Sequence, residues 1–595
     1  MGFEYALVHI KYTIPPAIIL SLIYRPLWTK LDIYKVAFLV TVVVVSTTPW
    51  DSYLIRNRVW TYPPNVMIGP KLFDIPAEEV FFFVIQTYNV SLLYLLFSKP
   101  IFYPAYLRAE RPASHARGPR NTQWRPYKLL GQLFFAMVIM TGLGMVQGRG
   151  RTMYMGGLIV WATPFLMLLW SLAYQFIIGL PRSSTIIPII IPTLYLWVVD
   201  TLELKRGTWV IENDTKIGFY LWTGLEIEEA VFFLITNTLI VFGLIAFDNA
   251  CAILHTFPDR FPDVPSFPSP LMLVKAFISP ASKYDEDRIR GLQDAADRLN
   301  RKSRSFYIAS AAFQGRLRID LLLLYSFCRV ADDLVDNATS LAEAESWVEK
   351  LRCFLNISYG PLQEKITVKD YVETQFPSKA QPALLQLPTE YLSAEPFNGL
   401  LQGFEMDLAF SKFQEGRIMS HPIKSELDLD LYARRVAGTV AELCLELVFN
   451  HSYTNISGED GRHILQAGNS MGVALQYVNI ARDIGVDAKI GRVYLPLAWL
   501  DEEGLTLQAV IKNPHSTRIE KLRSRLLDRA FEIYEEAREI IENLPEEVRG
   551  PIRVVVESYM EIGRVLRQGD YEVKAGRATV PKLKRIRVAW QALNK

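Results

Sequence analysis

Apolar residues are concentrated in the first 250 positions of the chain, where they form seven stretches of about 20 residues with few charges. A helix of this length can cross a bilayer. The pattern predicts spans at about residues 5–24, 33–49, 77–97, 129–147, 157–180, 185–202 and 226–247. The first stretch has Pro15 and Pro16 at its centre and is not followed by a small-residue cleavage site. We therefore interpret it as a span and not as a signal peptide.

The rest of the chain has helical periodicity, but its longest apolar run, around 321–327, is too short to cross a bilayer. Between the two parts, residues 257–270 contain five prolines, which is typical of a stiff, extended linker. We predict an all-α protein with a membrane domain at 1–250, a proline-rich linker at 251–278 and a second helical domain at 279–595. The first domain makes the protein an integral, multi-pass membrane protein.

Composition excludes several other classes. The formal net charge is +2 and the basic residues are not interleaved with aromatics, so we expect no nucleic-acid partner. The basic run at 99–128 is better explained as a loop at the membrane surface. The four cysteines are scattered without C-x-x-C spacing, which favours neither a disulfide framework nor a zinc site.

The membrane domain contains an internal repeat. Residues 75–83 align with residues 225–233, and the spacing from Asp51 to Trp60 recurs from Asp200 to Trp209. Corresponding spans are four apart and therefore cross in the same direction, which makes this a parallel repeat. It places two acidic pairs at one membrane face, Glu78 with Glu79 and Glu228 with Glu229.

A carboxyl group at the start of an apolar span is costly to bury, and function is the default explanation for it. The alternative is a glutamate that only stabilises a helix N-terminus. Burial favours the protonated form, and a neutral carboxylic acid in an apolar site is a proton donor. Such an acid can protonate a C=C bond, the cation can close onto a neighbouring double bond, and a carboxylate can then remove a proton. The net reaction is a cyclisation without redox chemistry.

The second domain contains two acidic stripes. On one predicted helix, Tyr325, Arg329, Asp332 and Asp336 project in a narrow sector, with Asp333 about 80° away. On another helix, Gln476, Asn479, Asp483 and Asp487 share one face. A single acidic i,i+4 pair is usually a solvated helix face, but apolar sequence flanks both of these stripes and predicts burial. Buried carboxylates require cations, and Mg²⁺ (or Mn²⁺) held between them would draw off a diphosphate leaving group.

These residues lie in motifs that resemble those of phytoene and squalene synthases: 302–306, 325–336, Tyr432 with 436–440, 476–487 and 491–496. The resemblance implies a class I terpenoid synthase fold and head-to-head condensation of two prenyl diphosphates. It implies metal ligands at Asp332, Asp336, Asp483 and Asp487, and diphosphate contacts at Ser303, Ser305, Arg329, Asn479 and Arg482. It places Tyr325, Tyr432, Gln476 and Tyr559 near the reacting carbons. Lys302 departs from the histidine that many members carry.

The duplicated Pro-x-Glu-Glu pattern resembles the small membrane-bound lycopene cyclases, although Glu226 replaces the proline in the second copy. Together, the two halves resemble the fused bifunctional lycopene cyclase/phytoene synthases of fungi. That resemblance implies geranylgeranyl diphosphate and lycopene as substrates, a bilayer around the first domain, and a separate carotene desaturase acting between the two reactions. No dinucleotide fingerprint follows a predicted strand, and we expect neither NADPH nor flavin.

Two alternatives remain open at this level. One is a squalene-type synthase whose first domain is a non-catalytic membrane anchor. The other is a transporter fused to an enzyme, since parallel repeats and buried carboxylates also occur in transporters. The lysine and arginine content of the loops differs little between the two sides, and we expect a cytosolic synthase domain.

Overall fold

The computed structural model describes residues 2–63, 65–110, 124–147, 150–360, 365–414, 421–452, 458–568 and 579–595. Residues 111–123 of the predicted surface loop lie outside this part of the chain. The described residues form two compact units, Met1–Ile289 and Arg290–Lys595. Helices make up most of both units, which confirms the predicted all-α class.

The first unit is built from long apolar helices. In the described part of this unit, seven helical segments are long and apolar enough to cross a membrane, as the hydrophobic pattern predicts. The first of these, Glu4–Leu27, is interrupted by a π-helical turn at His9–Thr13. The helices are α1 (Glu4–Val8), α2 (Ile14–Tyr24), α3 (Lys30–Arg56), α4 (Ala77–Ser98), α5 (Arg125–Gln147), α6 (Met153–Gly179), α7 (Arg182–Arg206), α8 (Ile227–Thr256) and α9 (Pro270–Ile278).

The helix ends follow local sequence signals. Thr29 caps α3 by accepting a hydrogen bond from the Asp32 amide at 3.1 Å. Gly207 ends α7 in the left-handed region, at φ 74°. Short strands follow α3 and α7 and form antiparallel pairs: β1 (Trp60–Thr61) with β4 (Val210–Ile211), β2 (Lys71–Leu72) with β3 (Ile75–Pro76), and β5 (Tyr220–Trp222) with β6 (Leu225–Glu226).

Equivalent parts of the repeat meet at the centre of this unit. Strand β1 belongs to the first copy and β4 to the second, and they pair through Trp60 with Ile211. Deeper in the unit, Gln86 on α4 donates to Thr236 on α8 at 3.2 Å and to Asn237 at 2.9 Å. In the alignment of the two copies, Gln86 corresponds to Thr236, so these contacts lie on the local symmetry axis of the repeat.

Helical structure occupies both ends of the region predicted as a linker at 251–278. Helix α8 continues to Thr256, and α9 begins at Pro270. Leu273 and Ala276 of α9 are buried in the same apolar cluster as α3, α4 and α8. Of this region, only residues 257–269 lack regular structure.

A buried ionic network joins four segments of the first unit (Met1–Ile289), which is called the membrane unit below. Lys35 on α3 forms an ion pair with Asp248 on α8, and both side chains are nearly inaccessible. Asp248 also accepts hydrogen bonds from Tyr94 at 2.8 Å and Tyr103 at 2.7 Å. A second pair joins Lys99 to Asp32 at 3.0 Å. Each charge therefore has a partner of opposite sign within the apolar interior.

We expect Asp248→Asn to destabilise the membrane unit by about 3–5 kcal/mol, because it removes the anion that forms the direct ion pair with buried Lys35. The double variant Lys35→Met/Asp248→Leu should recover most of this loss, since it removes both charges. Thermal unfolding in detergent can be followed by dye labelling of buried Cys251, after replacement of Cys328, Cys353 and Cys444. Equal melting temperatures for the wild type and Asp248→Asn would contradict a stabilising pair.

The second unit has two adjoining apolar cores, and the helices at Gly315–Asp336 and Glu459–Lys489 contribute to these cores and carry the acidic stripes. Its helices, starting with one that spans the boundary between the units, are α10 (Glu286–Lys302), α11 (Arg304–Ser310), α12 (Gly315–Asp336), α13 (Leu341–Ser358), α14 (Lys365–Gln375), α15 (Gln381–Leu385), α16 (Ala394–Gln414), α17 (Glu426–Ala433), α18 (Thr439–His451), α19 (Glu459–Lys489), α20 (Leu497–Glu502), α21 (Leu507–Lys512), α22 (Thr517–Ile541), α23 (Glu546–Leu566) and α24 (Lys582–Leu593).

Candidate active sites

The first glutamate of each pair in the membrane unit binds the loop that precedes its own helix. Glu78 Oε1 accepts a hydrogen bond from the Ile68 amide at 2.7 Å, and Glu228 Oε1 accepts one from the Ile217 amide at 2.7 Å. A glycine with positive φ follows each isoleucine, at 128° for Gly69 and 79° for Gly218. Both copies of the repeat thus use the same contact to fix a loop to a helix N-terminus.

The second glutamate of each pair contacts phenol groups instead. Glu79 Oε2 accepts hydrogen bonds from the hydroxyls of Tyr5 and Tyr62, the latter at 3.0 Å. Glu229 Oε1 accepts one from the Tyr154 hydroxyl at 2.6 Å. Consecutive helix positions are about 100° apart, so the two glutamates of a pair serve different surroundings.

The two copies contribute to one cluster rather than to two separate sites. The Tyr5 ring lies 5.4 Å from the Trp209 ring, and Trp209 Nε1 donates to Asp200 Oδ1 at 3.2 Å. Burial raises the pKa of Tyr62 well above its usual value, and the charges of Glu79, Asp51 and Glu229 raise it further. Tyr62 is therefore close to carboxylates from both copies.

Aromatic rings extend from this cluster into the bundle. Trp60 packs edge-on against Tyr154 at 5.7 Å and against Phe232 at 5.9 Å, and Phe82 lies 6.2 Å from Phe233. Phe81, by contrast, is 38% exposed on the outer surface. The inner rings present π faces that can stabilise a passing carbocation beside the carboxylates.

In the second unit, arginines bind both acidic stripes. On α12, Arg329 donates to Asp332 at 2.9 Å and to Asp333 at 2.6 Å. Lys302 lies 3.6 Å from Asp333. The helical projection separates Asp332 from Asp333, but the long Arg329 side chain reaches both.

The stripe on α19 has the same arrangement. Arg482 donates to both oxygens of Asp483, at 2.8 and 2.5 Å, and Asn479 donates to Gln476 at 3.3 Å. Just beyond α19, Arg492 binds Asp336 of α12 at 3.0 Å. This ion pair connects the end of one stripe to the segment that follows the other.

Asp407 is a site residue that the sequence patterns did not identify. It is buried on α16 and accepts hydrogen bonds from Tyr494 at 2.7 Å and Tyr432 at 3.2 Å. Its negative charge contributes to the raised pKa of both Asp332 and Asp487, so Asp407 lies close to both stripes. Two acids, Glu405 and Asp407, within the otherwise apolar helical sequence at 404–410 are the signal that could have indicated it.

The acidic groups carry more negative charge than the neighbouring arginines neutralise. Burial and the charge of Asp336 raise the pKa of Asp332 to about 7. Burial and the charge of Asp483 raise the pKa of Asp487 to about 7. Carboxylate oxygens with this excess charge fit a hard divalent cation. Within the described residues, however, no three carboxylate, histidine or cysteine side chains are grouped tightly enough to hold a metal by themselves.

Tyrosine and serine residues that the family resemblance assigns to the substrate site lie near the acidic stripes. The Tyr325 ring stacks on Phe306 at 5.6 Å, and burial together with Tyr559 raises the pKa of Tyr325 to about 12. Tyr559 on α23 also interacts electrostatically with Arg482. Ser303 precedes α11 and interacts with Tyr325, whereas the side chain of Ser305 lies outside the described part of the structure.

Comparisons with known proteins match both halves. Residues 299–584 match the Squalene/phytoene synthase family. A "Bifunctional lycopene cyclase/phytoene synthase" from Leptosphaeria maculans is 59% identical over 100% of both chains. Proteins of the same name from Gibberella fujikuroi and Neurospora crassa are 55% and 45% identical over 100% and 99% of both chains. The chain belongs to the bifunctional lycopene cyclase/phytoene synthase family.

Membership confirms the predicted resemblance, the two-part helical fold and a bifunctional enzyme of carotenoid biosynthesis. The Squalene/phytoene synthase family uses divalent metal ions with diphosphate substrates. The seven long apolar helices are consistent with membrane association. Among solved structures, a dehydrosqualene synthase in complex with ligand is 21% identical, with a TM-score of 0.41 over 51% of this chain and 96% of its own.

Proposed function

We propose that the first unit cyclises the ends of lycopene and that the second condenses two molecules of geranylgeranyl diphosphate head to head, through a cyclopropyl diphosphate, to phytoene. The observation that carries the proposal is a carboxylate cluster in each unit, buried among aromatic rings in the first and partly buried among arginines in the second. The family relationship supports the pairing of these two reactions. A non-catalytic anchor would not require the first cluster.

For the condensation, Asp332, Asp336, Asp483 and Asp487 would hold Mg²⁺ (or Mn²⁺), which when bound supplies positive charge to a departing diphosphate. Arg329 and Arg482 already lie beside these carboxylates and would bind diphosphate oxygens. Ser303, Ser305 and Asn479 would complete the contacts to the diphosphate. Tyr325, Tyr432 and Gln476 would line the path of the reacting carbons and exclude water.

For the cyclisation, the carboxyl groups of Glu78, Glu79, Glu228 and Glu229 are the candidates from the sequence. The hydrogen bonds favour Glu79 and Glu229 for the chemistry, because both face the aromatic interior. Glu78 and Glu228 would hold the loops that close the cluster. A proton added to a terminal double bond forms a cation, ring closure moves the charge, and loss of a proton ends the reaction without a redox cofactor.

We also propose that the protein inserts in the bilayer as a multi-pass enzyme with the synthase unit in the cytosol. The compact units Met1–Ile289 and Arg290–Lys595 support two separate domains, and the end of α8 and all of α9 belong to the first of them. A separate carotene desaturase would convert the product of the second unit into the substrate of the first.

The first test is a product assay. We expect the purified enzyme to convert geranylgeranyl diphosphate to phytoene with Mg²⁺ alone, because formation of phytoene ends with loss of a proton and needs no hydride. A parallel reaction with NADPH is the control and should give the same product at the same rate. A strict requirement for NADPH, or a reduced product of the squalene type, would refute the assignment.

The acidic stripes give a second expectation. Asp332→Ala or Asp483→Ala should lower phytoene formation roughly a hundredfold or more, since each removes a charge worth several kcal/mol to the departing diphosphate. Asp333→Ala is the matched control and should have a much smaller effect, because this group pairs with Arg329 and Lys302 at the edge of the stripe. Initial rates of phytoene formation provide the measurement, and equal losses at Asp332 and Asp333 would show that the stripe is wrongly assigned.

The paired glutamates give a third testable expectation. Glu79→Gln or Glu229→Gln should lower lycopene cyclisation about 10²-fold to 10⁴-fold, since the amide cannot exchange a proton. Glu78→Gln should keep substantial activity, because its amide oxygen can still accept the hydrogen bond from Ile68, whereas Glu78→Ala should lose it. Carotenoids extracted from cells that produce lycopene give the readout, with normal phytoene output as the folding control. Normal cyclisation in both Glu79→Gln and Glu229→Gln would place the chemistry elsewhere.

A further inference from the structure

Two aspartates of the membrane unit lie beside the cyclase glutamates and have the same place in each copy of the repeat. Asp51 is near the end of α3 and Asp200 is near the end of α7, and both are 1% exposed. Asp51 lies within electrostatic reach of Glu79, and Asp200 of Glu229. The duplication thus supplies two aspartate–glutamate pairs to one cluster.

The two members of each pair have different hydrogen-bond partners. Within the described residues, Asp51 Oδ2 and Asp200 Oδ2 are buried and accept no hydrogen bond. The other oxygen of Asp200 accepts one from Trp209, at 3.2 Å. Glu79, in contrast, accepts two phenol hydroxyls on a single oxygen, and Glu229 accepts one at 2.6 Å.

Three other buried acids of this unit have a cation that these aspartates lack. Asp248 has Lys35, Asp32 has Lys99 and Glu226 has Lys216. Among the described contacts, no lysine or arginine pairs with Asp51 or Asp200. A buried carboxyl that has no cation and one oxygen without any donor is more stable as the neutral acid, whereas hydrogen bonds from phenol hydroxyls stabilise the anion.

We propose that Asp51 and Asp200 are the proton donors of the cyclisation and that Glu79 and Glu229 are the proton acceptors. This assignment rests on the proposed lycopene cyclase function of the first unit and divides its chemistry between two kinds of carboxyl group. Tyr62 and Tyr154 are positioning residues that orient the acceptors and favour their ionised form by donating hydrogen bonds to them.

The proposed reaction is balanced in protons and electrons. The aspartic acid transfers its proton to a terminal C=C bond, forming a C–H bond and a tertiary cation. The π electrons of a neighbouring double bond form the ring C–C bond and move the charge into the ring. Glutamate removes a proton from the adjacent ring carbon, which restores a C=C bond. The proton then returns from the glutamic acid to the aspartate beside it, and the site is reset without an oxidant or reductant.

The test uses the full-length enzyme in lipid nanodiscs and two readouts. Infrared spectra should show protonated carboxyl C=O bands that shift in D₂O, weaken in Asp51→Asn and in Asp200→Asn, and persist in Glu79→Gln. Cyclisation should fall at least about a hundredfold in the Asp51→Asn/Asp200→Asn double variant, with unchanged phytoene formation. Asp214→Asn, an exposed loop substitution in the same unit, is the control and should change neither readout.

The outcomes separate this inference from the function it rests on. An active aspartate double variant, or bands that disappear in Glu79→Gln and Glu229→Gln and remain in the aspartate variants, would overturn the assignment of the donors. If the double variant is inactive because it misfolds, the infrared spectra of the wild type and the glutamine variants still decide the question. Normal cyclisation in both the aspartate and the glutamate variants would instead refute the proposed cyclase site itself.

Discussion

The cost of removing carboxyl groups wholly or partly from water is the constraint on which both units depend. A buried carboxylate must have a cation, several hydrogen-bond donors or a proton of its own. Lysine neutralises Asp248, and phenols donate hydrogen bonds to Glu79. Asp51 Oδ2 accepts no hydrogen bond, and in our proposal this carboxyl group carries a proton. The partner that each carboxyl group receives indicates whether it serves structure or chemistry.

In the membrane unit, duplication turns this constraint into a single composite site. Each copy brings an aspartate from one helix and a glutamate pair from the next, and the strand pair β1–β4 joins the loops between them. Contacts such as Tyr5 with Trp209 cross from one copy to the other. Neither copy by itself would enclose the carboxylates, which is consistent with a site that depends on both.

In the second unit the same constraint is met by arginine. Arg329, Arg482 and Arg492 each bind an aspartate of the stripes, yet burial and the charges of neighbouring acids raise the pKa of Asp332 and of Asp487 to about 7. Such a region is suited to a ligand that supplies more positive charge. The arginines are then available for the diphosphate that accompanies it.

Periodicity and repetition in the sequence were sufficient for the helical class, the seven apolar helices, the two acidic stripes and the duplicated glutamate pairs, because each is a property of residues close together along the chain. Contacts between distant segments were not accessible in this way. The sequence placed Glu78 and Glu79 together as equivalent candidates, and only the fold separates them, by bringing the Ile68 amide to one and the phenols of Tyr5 and Tyr62 to the other. Asp407 likewise became a site residue only when α16 packed beside the stripes. A helix repeat defines which face a residue shares, whereas tertiary packing decides what that face meets.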